Sequence, residues 1–341
     1  MKIYHLSHTD LDGYGAQYIT NFYFKDVKFL NSNYGREIDD KFAQILSEID
    51  VSNDDKNIIL ITDLNLTLAQ CESFTEMIEG KNIKLFLLDH HQSGAECASA
   101  YSWYFLDSSR CATKITYDFF AGIFGKNKEL EIFSDVVNAV DIWLKDDKNF
   151  EMGKVCLGLV ANAKEINKVM FEAENNLYMD HVLKEASKFF NEKNDYIGLD
   201  MQVHAIKKSF FKEDKDDTLS NLISNYVVKK LSENKEKFSI SYKDHKGILT
   251  YNIGNVSVIG NDFLVANPEF DFFIDVTNKK TLSFRANGKL DVSAMAKHLV
   301  GGGGHVNASG GLFANFKDGF SYEPIKAQIV DLITKKTQEE I

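Results

Sequence analysis

The stretch Lys84-Leu85-Phe86-Leu87-Leu88-Asp89-His90-His91 joins an apolar run to an acid and two histidines. The apolar part does not alternate, the mark of a strand buried on both faces. Comparable runs occur at 2–7, 27–31 and 57–62 before it, and at 102–106 after it. Amphipathic segments near 14–24, 38–49 and 68–79 separate the first four. Buried strands alternating with helices predict an α/β fold, a doubly wound and mostly parallel sheet. Helices near 112–124 and 131–144 follow.

Composition fits this fold. The 341 residues suffice for two domains, at about 100–200 residues each. With 44% hydrophobic residues the chain can bury sizeable cores. A net charge of −11 argues against tracking long nucleic acid, which takes many Lys and Arg contacts to phosphate. A short anionic ligand is still compatible, because a few cations dominate locally. Cys71, Cys97, Cys111 and Cys156 form no CxxC pair, so they read as buried reduced thiols rather than a zinc knuckle or disulfide framework. No signal-peptide pattern and no apolar run of the ~20 residues a membrane span needs is present, so a cytoplasmic protein is expected.

Between 164 and 237, 27 of 74 residues are charged, with no proline and a single glycine, Gly198. Solvated helices forming a connector fit that composition, with a loop at 212–217. Strands resume at 238–243, 247–253, 271–276 and 281–286. A helix at 292–299 then leads into the glycine run 301–304, and a last helix spans 324–337. The expected organisation is a domain at 1–163, a helical connector at 164–237 and a smaller α/β domain at 238–341.

Ligand-type residues follow three of the N-terminal strands: His8-Thr9-Asp10-Leu11-Asp12-Gly13, then Asp63, then Asp89-His90-His91. In an open parallel sheet the carboxyl ends of the strands share one edge, so these clusters are expected to meet there. Asp141 lies late in the helix that closes the unit. Taken singly, a strand-terminal Asp is ordinarily a cap or turn residue, and His5 reads as a core group. Taken together, carboxylates and imidazoles without thiolates suit Mn²⁺, with Mg²⁺ or Co²⁺ as alternatives. Two such ions ~3.5–4 Å apart would activate a bridging water and clamp phosphate oxygens.

The order HxDxDG, Asp, DHH, Asp resembles the DHH phosphoesterase superfamily. The resemblance implies that His8 and Asp10 hold one metal, that Asp12, His90 and Asp141 hold the other, and that Asp63 bridges both. It implies that Asp89 orients a histidine and that His91 faces the scissile phosphate. In the C-terminal half, the stretch from Gly301 to Gly311 resembles the GGGH signature of the DHHA1 domain, with Arg285 on the strand before it. There Gly302, Gly303, Gly304 and His305, with Arg285, are expected to hold a substrate phosphate. Glycines let backbone N–H groups approach an anion, and a following helix N-terminus would add a favourable dipole. Arg110 reads as a solvated surface group.

The GGGH domain implies a nucleotide-type substrate. The chain has no room for added nucleic-acid-binding domains. It therefore resembles the compact branch: enzymes that hydrolyse short oligonucleotides or linear dinucleotides such as pApA and pGpG to mononucleotides. Cyclic-dinucleotide hydrolysis and phosphoadenosine-phosphate dephosphorylation stand as alternatives, and a non-catalytic nucleotide sensor as the reading from another class. A homodimer is an analogy to relatives.

Overall fold

The computed structural model describes residues 2–49, 56–190 and 195–338. They divide into two compact units. The first comprises residues 1–163 and 176–210, and the second 164–175 and 211–341. The charged stretch read as a connector is therefore no separate body: 176–210 packs with the first unit, and its remainder with the second. Apolar faces on its helices explain this, since Tyr178, Val182 and Leu199 are all fully buried despite the charged composition around them.

In chain order the first unit begins β1 (Lys2–Ser7), α1 (Leu11–Tyr23), β2 (Val27–Asn31), α2 (Arg36–Glu48), β3 (Asn57–Thr62), α3 (Leu68–Ile78) and β4 (Ile83–Asp89). A short 3₁₀ turn, α4 (Ala95–Ala100), β5 (Tyr104–Leu106), α5 (Ala112–Phe124), α6 (Lys128–Asp141) and α7 (Phe150–Ala161) follow. Helices α8 (Glu172–Ser187) and α9 (Tyr196–Phe211) come next. The sheet order is β2-β1-β3-β4-β5, and every pair is parallel. Non-alternating strands bury both faces, as expected of such a sheet: Ile59, Ile61, Leu85 and Leu87 sit on one face in a core cluster with Phe42 and Phe74, whose rings stack at 3.8 Å, and Leu60 and Leu88 are buried on the other.

In this order the chain winds outward in both directions from the β1–β3 pair. Loops leaving the carboxyl ends of those two strands diverge, and the crevice between them is the ordinary ligand position of a doubly wound sheet.

The second unit adds α10 (Leu219–Glu233), α11 (Lys235–Phe238), β6 (Ser239–Tyr242), β7 (His245–Tyr251), α12 (Val256–Ala266), β8 (Phe272–Val276) and β9 (Thr281–Ala286). It ends with α13 (Val292–Val300), β10 (Gly303–His305), β11 (Ala308–Leu312) and α14 (Tyr322–Gln338). Its sheet runs β10-β11-β9-β8-β7-β6, with only β7 and β8 parallel. The glycine run departs from expectation, because no helix follows it. Gly301, left-handed at φ 65°, ends α13, and Gly302 N–H donates to Ala296 O at 3.1 Å. The chain then enters β10 and doubles back as β11. The hairpin is close enough that a Cβ on Gly302 would lie 2.2 Å from Gly310 O. Sequence periodicity also missed α7 and α12, both apolar helices with weak polar faces.

Among the described residues, no helix is long and apolar enough to cross a membrane. All four cysteines are buried and free.

Candidate metal centre

Three loops leaving β1, β3 and β4 carry ligand-type side chains to the sheet's carboxyl edge. After β1, His8 turns Nδ1 to within 2.9 Å of Asp10 Oδ2 and 3.6 Å of Asp63 Oδ2. Asp10 is also the N-cap of α1, accepting from Gly13 N–H at 3.0 Å. Gly13 must be glycine here, because a Cβ would sit 2.4 Å from His8 O.

Asp12, in the first turn of α1, is 1% exposed and held by the start of α5. Its Oδ1 accepts from Thr113 N–H and its Oδ2 from Ala112 N–H, both at 2.7 Å. Two free N–H groups at the start of α5 therefore hold one carboxylate, the usual complement of a helix N-terminus.

Asp63 follows β3 in the left-handed region at φ 57°, which Asp tolerates better than most residues. Its side chain is 2% exposed, and Oδ2 accepts no hydrogen bond. His90, beyond β4, points Nε2 at three carboxylates: Asp63 Oδ1 at 3.4 Å, Asp141 Oδ2 at 3.5 Å and Asp12 Oδ2 at 3.7 Å. Asp141 is the last residue of α6.

Asp89 stands behind this group, fully buried. It accepts from His91 Nδ1 at 2.7 Å and from the Tyr104 hydroxyl at 2.8 Å. Tyr34, in the loop after β2, reaches His91 Nε2 at 3.0 Å. Neither tyrosine was singled out in the sequence. The signal for Tyr34 was its place after a strand of the same sheet edge. For Tyr104 no periodicity marks the contact.

The electrostatics reflect crowded acid. Burial and the Asp12 charge push Asp141 up to about 9. Burial and the same neighbour hold Asp63 well above the usual carboxylate range. On His8, burial opposes charge, but Asp10 and Asp63 prevail and raise it to about 10. Asp10 is half-exposed; desolvation works against its charge, yet His8 lowers it to about 2. The donor set suits divalent cations: several carboxylates, two imidazoles and a buried oxygen without a hydrogen bond.

The structure brings His8, Asp10, Asp12, Asp63, Asp89, His90, His91 and Asp141 into one cluster. His5 stays in the core, its Nε2 bonded to Thr62 Oγ1 at 2.8 Å, and burial lowers it to about 3. Arg110 is spent on Asp107 and Asp118. Cys111 was read as a plain core thiol, yet it lies within ligand distance of Asp12 and Asp141.

In the second unit, His305 pairs with Ala308, and Ala308 pairs with Arg285. Residues in register across adjacent strands share a face, so Arg285 and His305 lie in one row, with one strand between them. The Arg285 guanidinium donates to Ser257 Oγ at 2.8 Å and to Phe284 O at 2.7 Å. Gly303, Gly304 and His305 are exposed, and Gly302 is half-buried.

A parallel doubly wound sheet with this cluster at its switch point defines a phosphoesterase of the DHH kind, and the chain belongs to the DHH phosphoesterase family. Over 343 residues it is 41% identical to a 3',5'-cyclic-nucleotide phosphodiesterase of Helicobacter pylori (strain ATCC 700392 / 26695), covering 97% of this chain and 99% of that one. The crystal structure of an uncharacterized protein from Helicobacter pylori G27 superposes with a TM-score of 0.86 at 40% identity, covering 98% and 99% of the two chains. Exonuclease RecJ bound to manganese aligns at 12% identity and a TM-score of 0.33, over 98% of this chain and 90% of its own, a likeness too loose to carry an argument. No protein-family model matches the chain.

Proposed function

We propose that the protein is a divalent-metal-dependent phosphodiesterase that cleaves the 3',5'-phosphodiester bond of small nucleotides. The observation that carries this reading is Asp63, whose two oxygens face two separate groups of histidine and carboxylate. His8 and Asp10 would hold one ion and Asp12, His90 and Asp141 a second, with Asp63 shared. The donor types favour Mn²⁺, with Mg²⁺ or Co²⁺ as alternatives. Divalent ions held there supply an activated water and positive charge against the phosphate oxygens.

The chain's own groups supply the rest. The start of α5 fixes Asp12, so this ligand needs little reorganisation when loaded. Asp89 accepts from Nδ1 of His91, which leaves Nε2 as the nitrogen that meets a phosphate oxygen. Arg285 and His305, with the backbone of Gly302, Gly303 and Gly304, would hold a second phosphate of the substrate through charge-assisted hydrogen bonds.

The Helicobacter pylori relative's activity supports 3',5'-cyclic nucleotides as the first substrate class. Short linear dinucleotides such as pApA and pGpG, and oligonucleotides of a few residues, form the second reading. It is favoured by the row containing Arg285 and His305. A terminal phosphate monoester is a ligand for that pair, and a cyclic mononucleotide has none.

Incubation with Mn²⁺, Mg²⁺ or no added metal decides the matter, using cyclic AMP, cyclic GMP, pApA, pGpG, cyclic dinucleotides and a 5-mer RNA. Metal-dependent release of nucleotides is expected. Release of inorganic phosphate alone would instead indicate a phosphatase, and tight binding without turnover a sensor.

A further inference from the structure

Tyr34 touches both His8 and His91. Its ring packs on the His8 ring at a centroid distance of 4.7 Å and meets the His91 ring edge-on at 5.6 Å. Its hydroxyl lies 3.0 Å from His91 Nε2. Asp89 Oδ1 lies 2.7 Å from His91 Nδ1, and a carboxylate only accepts. Nδ1 of His91 therefore donates to Asp89, and Nε2 is left to the Tyr34 hydroxyl, a group that can both donate and accept. A chain of hydrogen bonds runs from Tyr104 through Asp89 and His91 to Tyr34.

The loop that presents Tyr34 is built to hold it. Asn33 donates to Glu37 Oε2 from its backbone at 3.0 Å and from its side chain at 2.7 Å, and Glu37 is 1% exposed. Thr9, inside the first ligand loop, donates to Asn33 Oδ1 at 2.9 Å. Ser32 N–H joins the loop to Ser7 O at 2.9 Å, and Gly35 leaves it at φ 81°. Tyr34 is 42% exposed, far more than its aromatic contacts require, and its hydroxyl makes no contact that would help a core.

We propose that Tyr34 is a positioning residue for the phosphodiesterase reaction. By its hydrogen bond to Nε2 and its packing on His8, it sets the His91 imidazole in place between the two ligand loops before substrate arrives, and it yields Nε2 when a phosphate oxygen binds there. This rests on the reading of His91 as the residue that meets the phosphate. The effect on rate acts through orientation, of the kind that partners of ligating histidines exert, worth about 10-fold or more.

The test uses the full chain loaded with Mn²⁺ and compares wild type with Tyr34→Phe, His91→Asn and the double variant, on cyclic AMP and pApA. Tyr34→Phe keeps the ring and removes only the hydroxyl. It is expected to lower kcat about 10-fold while KM moves less than about 2-fold. The double variant should be no slower than His91→Asn alone, because Tyr34 acts through that ring. Nitrogen-15 spectra of the histidine side chains, taken on Mg²⁺-loaded protein because paramagnetic Mn²⁺ broadens nearby nuclei, should show His91 Nε2 shifting in Tyr34→Phe while Nδ1 keeps its bond to Asp89. Full kcat in Tyr34→Phe, an unmoved Nε2 resonance, or single losses that multiply in the double variant would each overturn the proposal. His91→Asn at full kcat would overturn the underlying reading of His91, and the proposal with it.

Discussion

Asp12 and Thr113, a hundred residues apart, are bonded twice. Thr113 N–H donates to Asp12 Oδ1 at 2.7 Å, and the Thr113 hydroxyl donates to Asp12 O at 2.7 Å. Helices α1 and α5 approach so closely there that a Cβ on Gly15 would lie 2.5 Å from Thr113 Oγ1. Thr113→Val keeps the shape and the N–H but loses the hydroxyl. We expect a stability loss of about 1 kcal/mol and a fall of about 10-fold in Mn²⁺ affinity, with Thr113→Ser restoring both. Urea melts and titration calorimetry measure them. Unchanged affinity would remove α5 from the account of the centre.

Asp63→Asn separates stability from activity. The buried carboxylate is costly when charged, so the metal-free variant should melt at a higher temperature than the parent at pH 8. The same change removes the ligand we propose is shared, and turnover should fall on the order of 10³-fold. Calorimetry in chelator and an assay in Mn²⁺ give the two readings. Retained turnover would show that Asp63 is not shared between ions.

The acid cluster also sets a pH dependence. Asp141 rises from 3.8 to about 9 and His8 from 6.5 to about 10. Groups raised in the folded state lend stability that is complete below their unfolded values and lost as pH climbs through the folded ones. Metal-free protein should therefore lose stability steadily between pH 4 and 10. Asp10, lowered to about 2, acts in the opposite sense but only below about pH 4. Ligands must shed their protons to bind a cation, so Mn²⁺ affinity should climb over that window and binding should release protons. Calorimetry in buffers of differing ionisation enthalpy counts them. A pH-independent affinity would contradict the assignment of His8.

Arg285→Ala distinguishes the two substrate readings. Loss of a charged hydrogen-bond donor to a terminal phosphate costs about 1.5–3 kcal/mol. KM for pApA should therefore rise by about 10- to 100-fold, with Mn²⁺ affinity and cyclic AMP hydrolysis unchanged. Equal effects on linear and cyclic substrates would mean that Arg285 does not read the terminal phosphate.

Much of the N-terminal unit was legible because its strands are continuous apolar runs, each ended by a polar loop. The runs at 2–7, 27–31 and 57–62 coincide with β1, β2 and β3. The clustering of His8, Asp63 and His90 followed from strand polarity alone. What escaped notice was contact across the fold. Nothing local in Thr113 reveals that it grips a residue on another element, and Tyr34 offers only its place after β2. The glycine run misled for a different reason. Gly302 serves a close hairpin approach, which looks identical in sequence to a loop awaiting a helix.

Because the cluster draws on residues from position 8 to position 141 of one polypeptide, no fragment ending before α6 contains it whole. On the proposed metal reading, tight cation capture would thus be reserved for chains that have closed the entire sheet and laid α6 against it. Loading with metal would then distinguish chains extended through α6 from shorter ones, well before the rest of the unit is made.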